Sequence, residues 1–335
     1  MSETKAPPAS AALRLGKAGP TVFPLALGCM GMSGMYGATD ETESVATLHA
    51  ALERGINLLD TGDFYGMGHN ELLLGRALSG RRQQALLSVK FGALRAPGGG
   101  WGGFDARPAA LRNFLTYSLT RLGTDYVDIY RPARLDPTVP IEETMGALAD
   151  LVKAGYVRAI GLSEVGVETI RRAQAVHPVT DLQIEYSLIS RGPEANIFPA
   201  LHGLGIGVTA YGVLSRGLLS GSKPQGTGDY RAYLPRFSGD AGEHNRKLVE
   251  QLGKRAEARG ITTAQLALAW VLAKGGGIVP VIGARTRKQL SESLEALAVK
   301  LVPSEVAELE ALVAKSGVQG SRYQDVQMQH LDSEK

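Results

Sequence analysis

Three residues that could carry out proton transfer lie at the ends of two neighbouring strands predicted from the sequence. Asp60 ends one apolar run, Tyr65 lies in the loop after it, and Lys90 ends the next run. A lysine beside a tyrosine stabilises the phenolate and lowers the tyrosine pKa from about 10, and an aspartate can hold that lysine in place. The three side chains would then form a general acid that works nearer neutral pH. A lysine–aspartate ion pair beside an ordinary tyrosine at the edge of the core fits the same spacing, and spacing alone favours that simpler interpretation.

Polar or glycine residues also follow the later strands predicted from the sequence. In a (β/α)8 barrel the active site lies at the C-terminal ends of the strands, so residues in these positions would meet at one end of the molecule. In chain order they are Ser163 and Glu164, Gln183, Tyr211, Gly283 and Arg285.

The strands themselves are predicted from eight short apolar runs that end in polar or glycine residues. Most runs are almost continuously apolar, which is typical of parallel strands buried on both faces. The first seven recur at intervals of roughly 25–40 residues, the scale of a repeated βα unit. The eight runs are Leu25–Gly28, Asn57–Asp60, Leu86–Lys90, Val127–Tyr130, Val157–Gly161, Leu182–Ile184, Gly207–Tyr211 and Ile278–Ile282.

Amphipathic stretches with helix boundaries separate these runs. Asp40 and Glu43 have the spacing of a capping box, and so do Thr262 and Gln265. The last interval is longer than the others. It contains a segment rich in glycine, serine and proline over residues 215–238 and the pattern of two helices.

Eight alternating βα units without a break in composition indicate one (β/α)8 TIM barrel. The alternative, an open doubly wound sheet, is weakened because no G-x-G-x-x-G motif follows the first strand. Ahead of the barrel, Ala12–Leu15 and Thr21–Phe23 flank a glycine-containing turn and predict a β-hairpin that caps one end. We therefore expect a disordered lead over residues 1–10, one barrel domain over 11–317 and a polar C-terminal tail over 318–335.

Composition is that of an ordinary globular protein and argues against several function classes. Of the 335 residues, 44% are hydrophobic and 21% are charged, and the net charge of +3 gives no argument for nucleic acid or a membrane as a partner. No apolar run is long enough to span a bilayer, and the N-terminal residues lack the layout of a secretory signal. Cys29 is the single cysteine, which excludes an internal disulfide and fits a reducing, cytoplasmic location. The six histidines show no metal-ligand spacing, so we expect no metal site.

The segment around Asp60 and Tyr65, NLLDTGDFYGMGHNE over residues 57–71, resembles the signature of the aldo-keto reductase family. The resemblance implies an NADP(H)-dependent reductase of small carbonyl compounds on a (β/α)8 barrel. Further matches extend across about the whole barrel in family order. They are LSVKFG at 87–92, GLSE at 161–164, QIEYSL at 183–188, YGVLSRGLLSG at 211–221 and VPVIGAR at 279–285.

The catalytic tetrad implied by the resemblance is incomplete. By resemblance, Tyr65 donates a proton to the carbonyl oxygen, Lys90 depresses the tyrosine pKa and Asp60 orients Lys90. The fourth member is usually a histidine after the fourth strand, and Ala133 replaces it without a side-chain donor. Removing one such donor typically costs about 10²–10³ in rate.

Arg131 comes two residues before Ala133 where the fourth predicted strand ends, so the two side chains should point to the same side. The replacement of the histidine by Ala133 therefore has several interpretations. The guanidinium could supply a substitute donor, or it could be an inward charge paired with a carboxylate low in the barrel. Alternatively, the site has gained room and accepts a bulkier substrate at a lower rate. The missing histidine also keeps open enone reduction or alcohol oxidation on the same cofactor, or a low-turnover NADP(H)-binding sensor or accessory subunit. Retention of the other three tetrad residues argues against the sensor.

The resemblance also assigns the nicotinamide and pyrophosphate contacts. Ser163 and Gln183 match residues that hydrogen-bond the carboxamide, while Glu164 stands where the family often has asparagine. Tyr211 matches the aromatic residue that stacks on the nicotinamide ring. TIM barrels often bind phosphate after strands 7 and 8, where the resemblance places the pyrophosphate contacts Leu214, Arg216 and Gly217.

The adenosine end is matched by Gly283, Arg285 and Gln289. Arg285 would pair with a 2′-phosphate, because guanidinium geometry suits phosphate. Glu292 matches an adenine contact, and Ser293 replaces the usual asparagine, which weakens adenine recognition. Without the resemblance, a solvated helix face would be the preferred interpretation of Arg285.

Substrate contacts are the least determined part of the site. Met30 follows the first strand, and Trp101 and Phe104 lie in the glycine-rich loop after the third strand. For the two aromatic residues, loop packing is at least as good an explanation as substrate binding. The sequence determines neither the substrate nor the oligomeric state.

Overall fold

Eight parallel strands close into a barrel in the computed structural model, which describes residues 12–98, 100–224 and 229–335. Each of the eight predicted runs overlaps one strand of the barrel, so the (β/α)8 TIM barrel is confirmed. The expected disordered lead, residues 1–10, lies outside the described residues. In chain order the strands are β1 (Leu13–Arg14), β2 (Thr21–Val22), β3 (Ala26–Gly28), β4 (Leu58–Gly62), β5 (Leu86–Phe91), β6 (Ala93–Arg95), β7 (Trp101–Phe104), β8 (Val127–Pro132), β9 (Val157–Ser163), β10 (Val179–Glu185), β11 (Gly207–Tyr211) and β12 (Ile278–Gly283).

The barrel runs β3–β4–β5–β8–β9–β10–β11–β12 and closes where β12 pairs with β3. Helices connect consecutive strands of the barrel, and the last three helices follow β12. The helices are α1 (Glu41–Glu53), α2 (His69–Ala77), α3 (Pro108–Leu122), α4 (Ile141–Lys153), α5 (Val167–Val176), α6 (Ile197–Leu204), α7 (Gly239–Glu257), α8 (Thr263–Ala273), α9 (Arg287–Glu295), α10 (Pro303–Ser316) and α11 (Asp325–Met328).

Helix caps follow the sequence signals closely. Thr262 and Gln265 form the reciprocal capping box at the start of α8. At α1 only half of the predicted capping box forms: the Asp40 carboxylate accepts from the backbone amides of Thr42 and Glu43, and the Glu43 carboxylate does not bond back to Asp40. The Glu43 carboxylate pairs with Arg287 at 2.9 Å, and this contact ties the first helix to α9. The two helices predicted before the last strand are α7 and α8.

The predicted hairpin closes one end of the barrel. β1 and β2 pair antiparallel, with Leu13 opposite Val22. Leu15 and Val22 pack with inward residues of the barrel strands, among them Leu58 and Ile129, in an apolar cluster separate from the main core. Burying these side chains keeps water out of the end where the strands begin. The other end, where the strands finish, is called the barrel mouth below.

Between the apolar cluster and the mouth, the barrel interior holds a buried ion pair. Arg131 is completely buried, and its Nη1 lies 2.9 Å from Asp181 Oδ2. Gly161 makes room for the pair, since a Cβ there would lie 2.8 Å from Asp181 Oδ1 and 3.0 Å from Arg131 Cζ. The Arg131 side chain points away from the mouth. It bonds to Ser88 on β5 and Asp181 on β10, and these residues come two positions before Lys90 and Gln183 on the same strands.

The segment predicted as a polar tail, 318–335, folds back over the barrel mouth. Leu331 is buried, and Arg322 forms an ion pair with Glu164 at the end of β9. Asp332 accepts hydrogen bonds from Gly166 N at 2.8 Å and Thr169 Oγ1 at 2.7 Å, and so caps α5 from outside the helix.

Every helix within the described ranges is too short or too polar to cross a bilayer.

Asp181→Asn should destabilise the protein strongly, because it leaves the Arg131 charge buried without its counterion. We expect a loss of about 3–5 kcal/mol in the free energy of unfolding, measured by urea denaturation followed by circular dichroism. Replacing both residues, as in Arg131→Met with Asp181→Leu, should recover most of the loss. A single variant within about 1 kcal/mol of wild type would contradict the assigned pairing.

Candidate active site

A buried ion pair lies at the C-terminal ends of β4 and β5. Lys90 Nζ pairs with Asp60 Oδ2, and both side chains are almost completely buried. The other oxygen of Asp60 accepts hydrogen bonds from Ser88 Oγ at 3.1 Å and Gln183 Nε2 at 2.8 Å. Donors from β5 and β10 therefore fix the carboxylate, and the carboxylate fixes the lysine.

Tyr65 lies against this ion pair. It begins the turn over residues 65–68 that follows β4, and Lys90 Nζ is 5.2 Å from the centroid of its ring. Phe64 packs edge-on against the same ring, with 4.7 Å between the centroids. The structure therefore brings together the aspartate, tyrosine and lysine that the sequence singles out.

The electrostatics of Tyr65 correct one expectation from the sequence. Burial and the negative charge of Asp60 raise the pKa of Tyr65 well above its usual value, and Arg134 opposes them only in part. The predicted lowering of this pKa is wrong here, because burial and the charge of Asp60 outweigh the favourable effect of the Lys90 charge on the phenolate. At neutral pH the hydroxyl keeps its proton, which is the state that a proton donor needs.

The position of the missing tetrad histidine is filled by the methyl group of Ala133. Its backbone amide donates to Phe91 O at 2.8 Å, so the strand pairing continues past Lys90. The contacts of Arg131 favour its interpretation as an inward charge, and they do not support its expected role as a substitute donor. Its Nη atoms bond to Asp181 and Ser88, which lie farther from the mouth than Lys90.

Two buried polar atoms at the mouth have no partner within the described residues. They are Ser163 Oγ, at the end of β9, and Gln183 Oε1, on the adjacent strand β10. A hydroxyl can donate, whereas an amide oxygen only accepts. Unpaired buried groups of this kind are rare in native proteins, where a ligand or an ordered water usually satisfies them. A ligand that offers both an acceptor and a donor, as a carboxamide does, would satisfy them.

Glu164 is engaged by the C-terminal segment. Its two oxygens each lie 3.0 Å from a guanidinium nitrogen of Arg322, and Ser333 Oγ donates to it at 2.5 Å. Burial opposes ionisation, yet Arg322 and its hydrogen bonds lower the pKa of Glu164 to about 2. Glu164 has φ 53°, a left-handed conformation that asparagine adopts more readily than glutamate. The carboxylate is therefore a fixed negative charge.

Tyr211 connects this network to the C-terminal segment. Its hydroxyl lies 2.7 Å from Glu164 Oε1 and 2.9 Å from the hydroxyl of Tyr323. The guanidinium of Arg216 lies over the Tyr323 ring, 4.3 Å from its centroid, and pairs with Glu185 at 2.8 Å. Residues from the end of the chain thus contact the side chains expected to hold a nicotinamide and a pyrophosphate.

The loop after β11 has an unusual backbone. Ser215, Arg216 and Gly217 have φ values of 46°, 56° and 94°, three consecutive left-handed residues that follow Leu214. The φ of 94° favours glycine at position 217, and a Cβ there would also lie 2.9 Å from Arg231 Nη1. Ser215 Oγ is buried and has no partner within the described residues. Backbone strain of this type is often kept at ligand-binding loops.

The residues matched to the adenosine end cluster around the start of α9, beyond Gly283. Gln289 Oε1 accepts from the Arg285 backbone amide at 2.8 Å. The Arg285 side chain donates to the carbonyl oxygen of Tyr36 at 3.1 Å, and within the described residues it has no acidic partner. Glu292 accepts from Thr262 Oγ1 at 2.8 Å, so this carboxylate is held by the cap of α8.

The three substrate candidates have different surroundings. Trp101 is 49% exposed and packs on Phe64, which itself touches Tyr65, so it borders the mouth. Phe104 packs edge-on against His330 of the C-terminal segment, which fits the loop-packing interpretation. Met30 is half-buried in the turn after β3.

Comparison with known proteins assigns the chain to a family. The sequence model of the Aldo/keto reductase family matches residues 24–314. The chain belongs to this family.

Several solved structures share the fold of this aldo-keto reductase along nearly the whole chain. A glycerol dehydrogenase from Gluconobacter oxydans is 29% identical, with 93% of this chain and 98% of that one covered and a TM-score of 0.82. An aldo-keto reductase from Bacillus halodurans, solved in its holo form, is 30% identical over 94% and 98% of the two chains, with a TM-score of 0.75. A thermostable aldo-keto reductase in complex with the inhibitor epalrestat is 28% identical over 90% and 99%, with a TM-score of 0.71.

The residues of this aldo-keto reductase fit the nicotinamide cofactor that the family generally uses. Ser163 and Gln183 present an unpaired donor and an unpaired acceptor, which is the complement of a carboxamide. Arg285 offers a guanidinium without an acidic partner in the described part of the chain. No group of three His, Cys, Asp or Glu residues within the described ranges could hold a metal ion.

Sequence reasoning missed three residues that this aldo-keto reductase places at its mouth. Arg322 and Tyr323 come from a segment without a recognisable motif, and only the folded chain shows where it packs. Arg134 lies next to Ala133. Adjacent residues of a strand point to opposite sides, so the sequence does not place its side chain where the missing histidine would be. The sequence signal that could have found these residues is Glu164, which stands where the family often has asparagine. A buried carboxylate requires a cation nearby.

Two largely buried carboxyl groups, Asp63 and Glu71, come from the chain segment around Tyr65. Asp63 accepts a hydrogen bond from the Gly92 amide at 3.3 Å, and Glu71 is buried against Arg121 at 2.5 Å. Burial and the nearby charge of Glu71 raise the pKa of Asp63 from 3.8 to about 7. A carboxyl group whose pKa rises on folding destabilises the native state as it ionises.

Asp63→Asn should therefore stabilise the protein in a pH-dependent way. The difference in Tm from wild type should be near zero at about pH 4, grow between pH 4 and 7, and level off at roughly 8 °C above pH 7. Asp105→Asn is the control, because Arg107 lowers the pKa of Asp105 and the sign should reverse. An Asp63→Asn difference that stays constant from about pH 4 to 8 would contradict the assigned shift.

Proposed function

We propose that this aldo-keto reductase converts an aldehyde or ketone to an alcohol with NADPH, using Tyr65 as the proton donor. The observation that carries the proposal is the position of Tyr65 against the Lys90–Asp60 pair, beside the unpaired Ser163 and Gln183. A nicotinamide held there would supply the hydride to the carbonyl carbon. The protein supplies the proton and the positions of both reactants.

The roles of the side chains follow from their contacts. The Tyr65 hydroxyl gives its proton to the carbonyl oxygen, so that hydride and proton together complete the alcohol. Lys90 lies 5.2 Å from the ring centroid, where its charge stabilises the phenolate left behind. Asp60 holds Lys90 and is itself held by Ser88 and Gln183. The phenolate regains a proton from solvent after the product leaves.

The preference for NADPH over NADH is proposed from Arg285. Its guanidinium contacts backbone carbonyls, while the neighbouring Arg287 is paired with Glu43 at 2.9 Å. An arginine without an acidic partner is free to bind a 2′-phosphate. The strained loop over residues 214–217 would follow the pyrophosphate, and Tyr211 would stack on the nicotinamide ring.

Alcohol oxidation is a second candidate function. The structurally similar protein from Gluconobacter oxydans is a glycerol dehydrogenase, and hydride transfer on one site runs in both directions. The same residues would serve, with the Tyr65 phenolate as the base. Assays with polyols and NADP⁺ against aldehydes and NADPH, at matched concentrations, decide between the two directions.

Tyr65→Phe removes the proton donor and keeps the ring. We expect carbonyl reduction to fall by about 10²–10⁴, measured as loss of NADPH absorbance with an aromatic aldehyde panel. Binding of NADPH, followed by its fluorescence, should stay within about twofold of wild type, because the hydroxyl is not needed to hold the cofactor. Turnover retained by the phenylalanine variant would remove Tyr65 from the proposed role.

Arg285→Gln tests the proposed phosphate contact. A charge-assisted hydrogen bond contributes about 1.5–3 kcal/mol, so the Kd for NADPH should rise roughly tenfold or more, with that for NADH unchanged. Arg287→Gln is the matched control, since its guanidinium is already paired with Glu43. Equal weakening of both cofactors by Arg285→Gln would contradict a contact specific to the 2′-phosphate.

A further inference from the structure

The aldo-keto reductase site lacks a donor for the carbonyl oxygen at the usual position. Ala133 is 2% exposed and presents a methyl group. Its peptide is bonded to β5 through Phe91 O, so the backbone amide is also in use. Arg131, the other inward residue of this strand end, is committed to Asp181. Tyr65 on its own would have to both hold and protonate the substrate oxygen.

Arg134 follows directly, and its side chain turns back over this position. Its Nη1 donates to the carbonyl oxygen of Ala133 at 2.6 Å. Its Nη2 lies 3.4 Å from the hydroxyl of Tyr323, which is 2.9 Å from the hydroxyl of Tyr211 at the end of β11. The guanidinium therefore lies across the mouth, between the ends of β8 and β11.

The charge of Arg134 has no carboxylate within ion-pair distance among the described residues. The neighbouring guanidiniums differ in this respect, because Arg131, Arg216 and Arg322 each have one at 2.8–3.0 Å. A half-buried guanidinium carries five N–H donors, and the two contacts above leave donors open to a ligand. The same charge opposes the effect of burial on the pKa of Tyr65.

We propose that Arg134 donates the hydrogen bond that polarises the substrate carbonyl, in the place of the histidine that Ala133 replaces. This inference rests on the proposed function. As hydride reaches the carbonyl carbon, negative charge develops on the oxygen, and a fixed guanidinium stabilises that charge more than it stabilises the neutral ground state. Tyr65 then has only to give up its proton. Unlike a histidine, the guanidinium does not titrate between pH 5 and 9.

The experiment compares Arg134→Gln, Ala133→His and the double variant in NADPH-dependent reduction of an uncharged aromatic aldehyde. Arg134→Gln should lower kcat by about 10²–10³ with NADPH binding, followed by fluorescence, within about twofold of wild type. Ala133→His alone should change kcat less than about threefold, whereas in the Arg134→Gln background it should restore at least about tenfold. The control Arg158→Gln removes an exposed arginine from β9 near the opposite end of the barrel and should leave kcat unchanged.

The pH profile gives a readout that a structural role would not move. The wild type should show no histidine-like limb between about pH 5 and 8, and the double variant should acquire one, because its donor titrates. If Arg134→Gln does not fold, as judged by circular dichroism, then Arg134→Lys serves instead. It keeps the charge but loses the planar fork, and a kcat about tenfold below wild type at similar KM is expected.

Each other outcome has a definite meaning. Unchanged kcat in Arg134→Gln, or no rescue by Ala133→His, would overturn the inference. Loss confined to substrates that carry a carboxylate or phosphate would make Arg134 an anion-binding residue and would also overturn it. Weakened NADPH binding would place Arg134 on the cofactor instead. A wild type that binds NADPH but reduces no carbonyl would overturn the proposed function itself. A loss of kcat that occurs only in the Arg134 variant would leave the proposed function intact.

Discussion

Lys90 and Asp60 are charged groups that are almost completely buried, and buried charges are tolerated only if they are paired and hydrogen-bonded. The barrel meets this condition through successive contacts. Ser88 and Gln183 hold Asp60, and Arg131 in turn holds Ser88 and pairs with Asp181. The site at the mouth therefore continues into the interior of the barrel, and the buried arginine supports the ion pair without touching the reacting atoms.

The barrel and half of the site follow from local sequence. Continuous apolar runs force burial on both faces, and this fixes the parallel strands and places Asp60 and Lys90 at their ends. The direction of the Tyr65 pKa does not follow, because it depends on how much water and how much countercharge surround the hydroxyl. The position of Arg134 does not follow from strand parity either, since its side chain folds back over Ala133 after the strand has ended.

Glu164 shows how one departure from a family pattern requires another. A buried carboxylate in place of an amide requires a cation, and Arg322 lies 158 positions farther along the chain. The left-handed backbone at Glu164 adds strain that asparagine would reduce. Nothing in the local sequence of either residue specifies the pairing, which is why the C-terminal segment reads as a polar tail when it is considered alone.

The order of synthesis gives this pairing a consequence. All eight barrel strands precede Arg322, so a nascent chain can close its barrel while Glu164 and Glu185 still lack this shared guanidinium. The charge pattern of the barrel mouth is therefore complete only when the last turns of the chain dock on it.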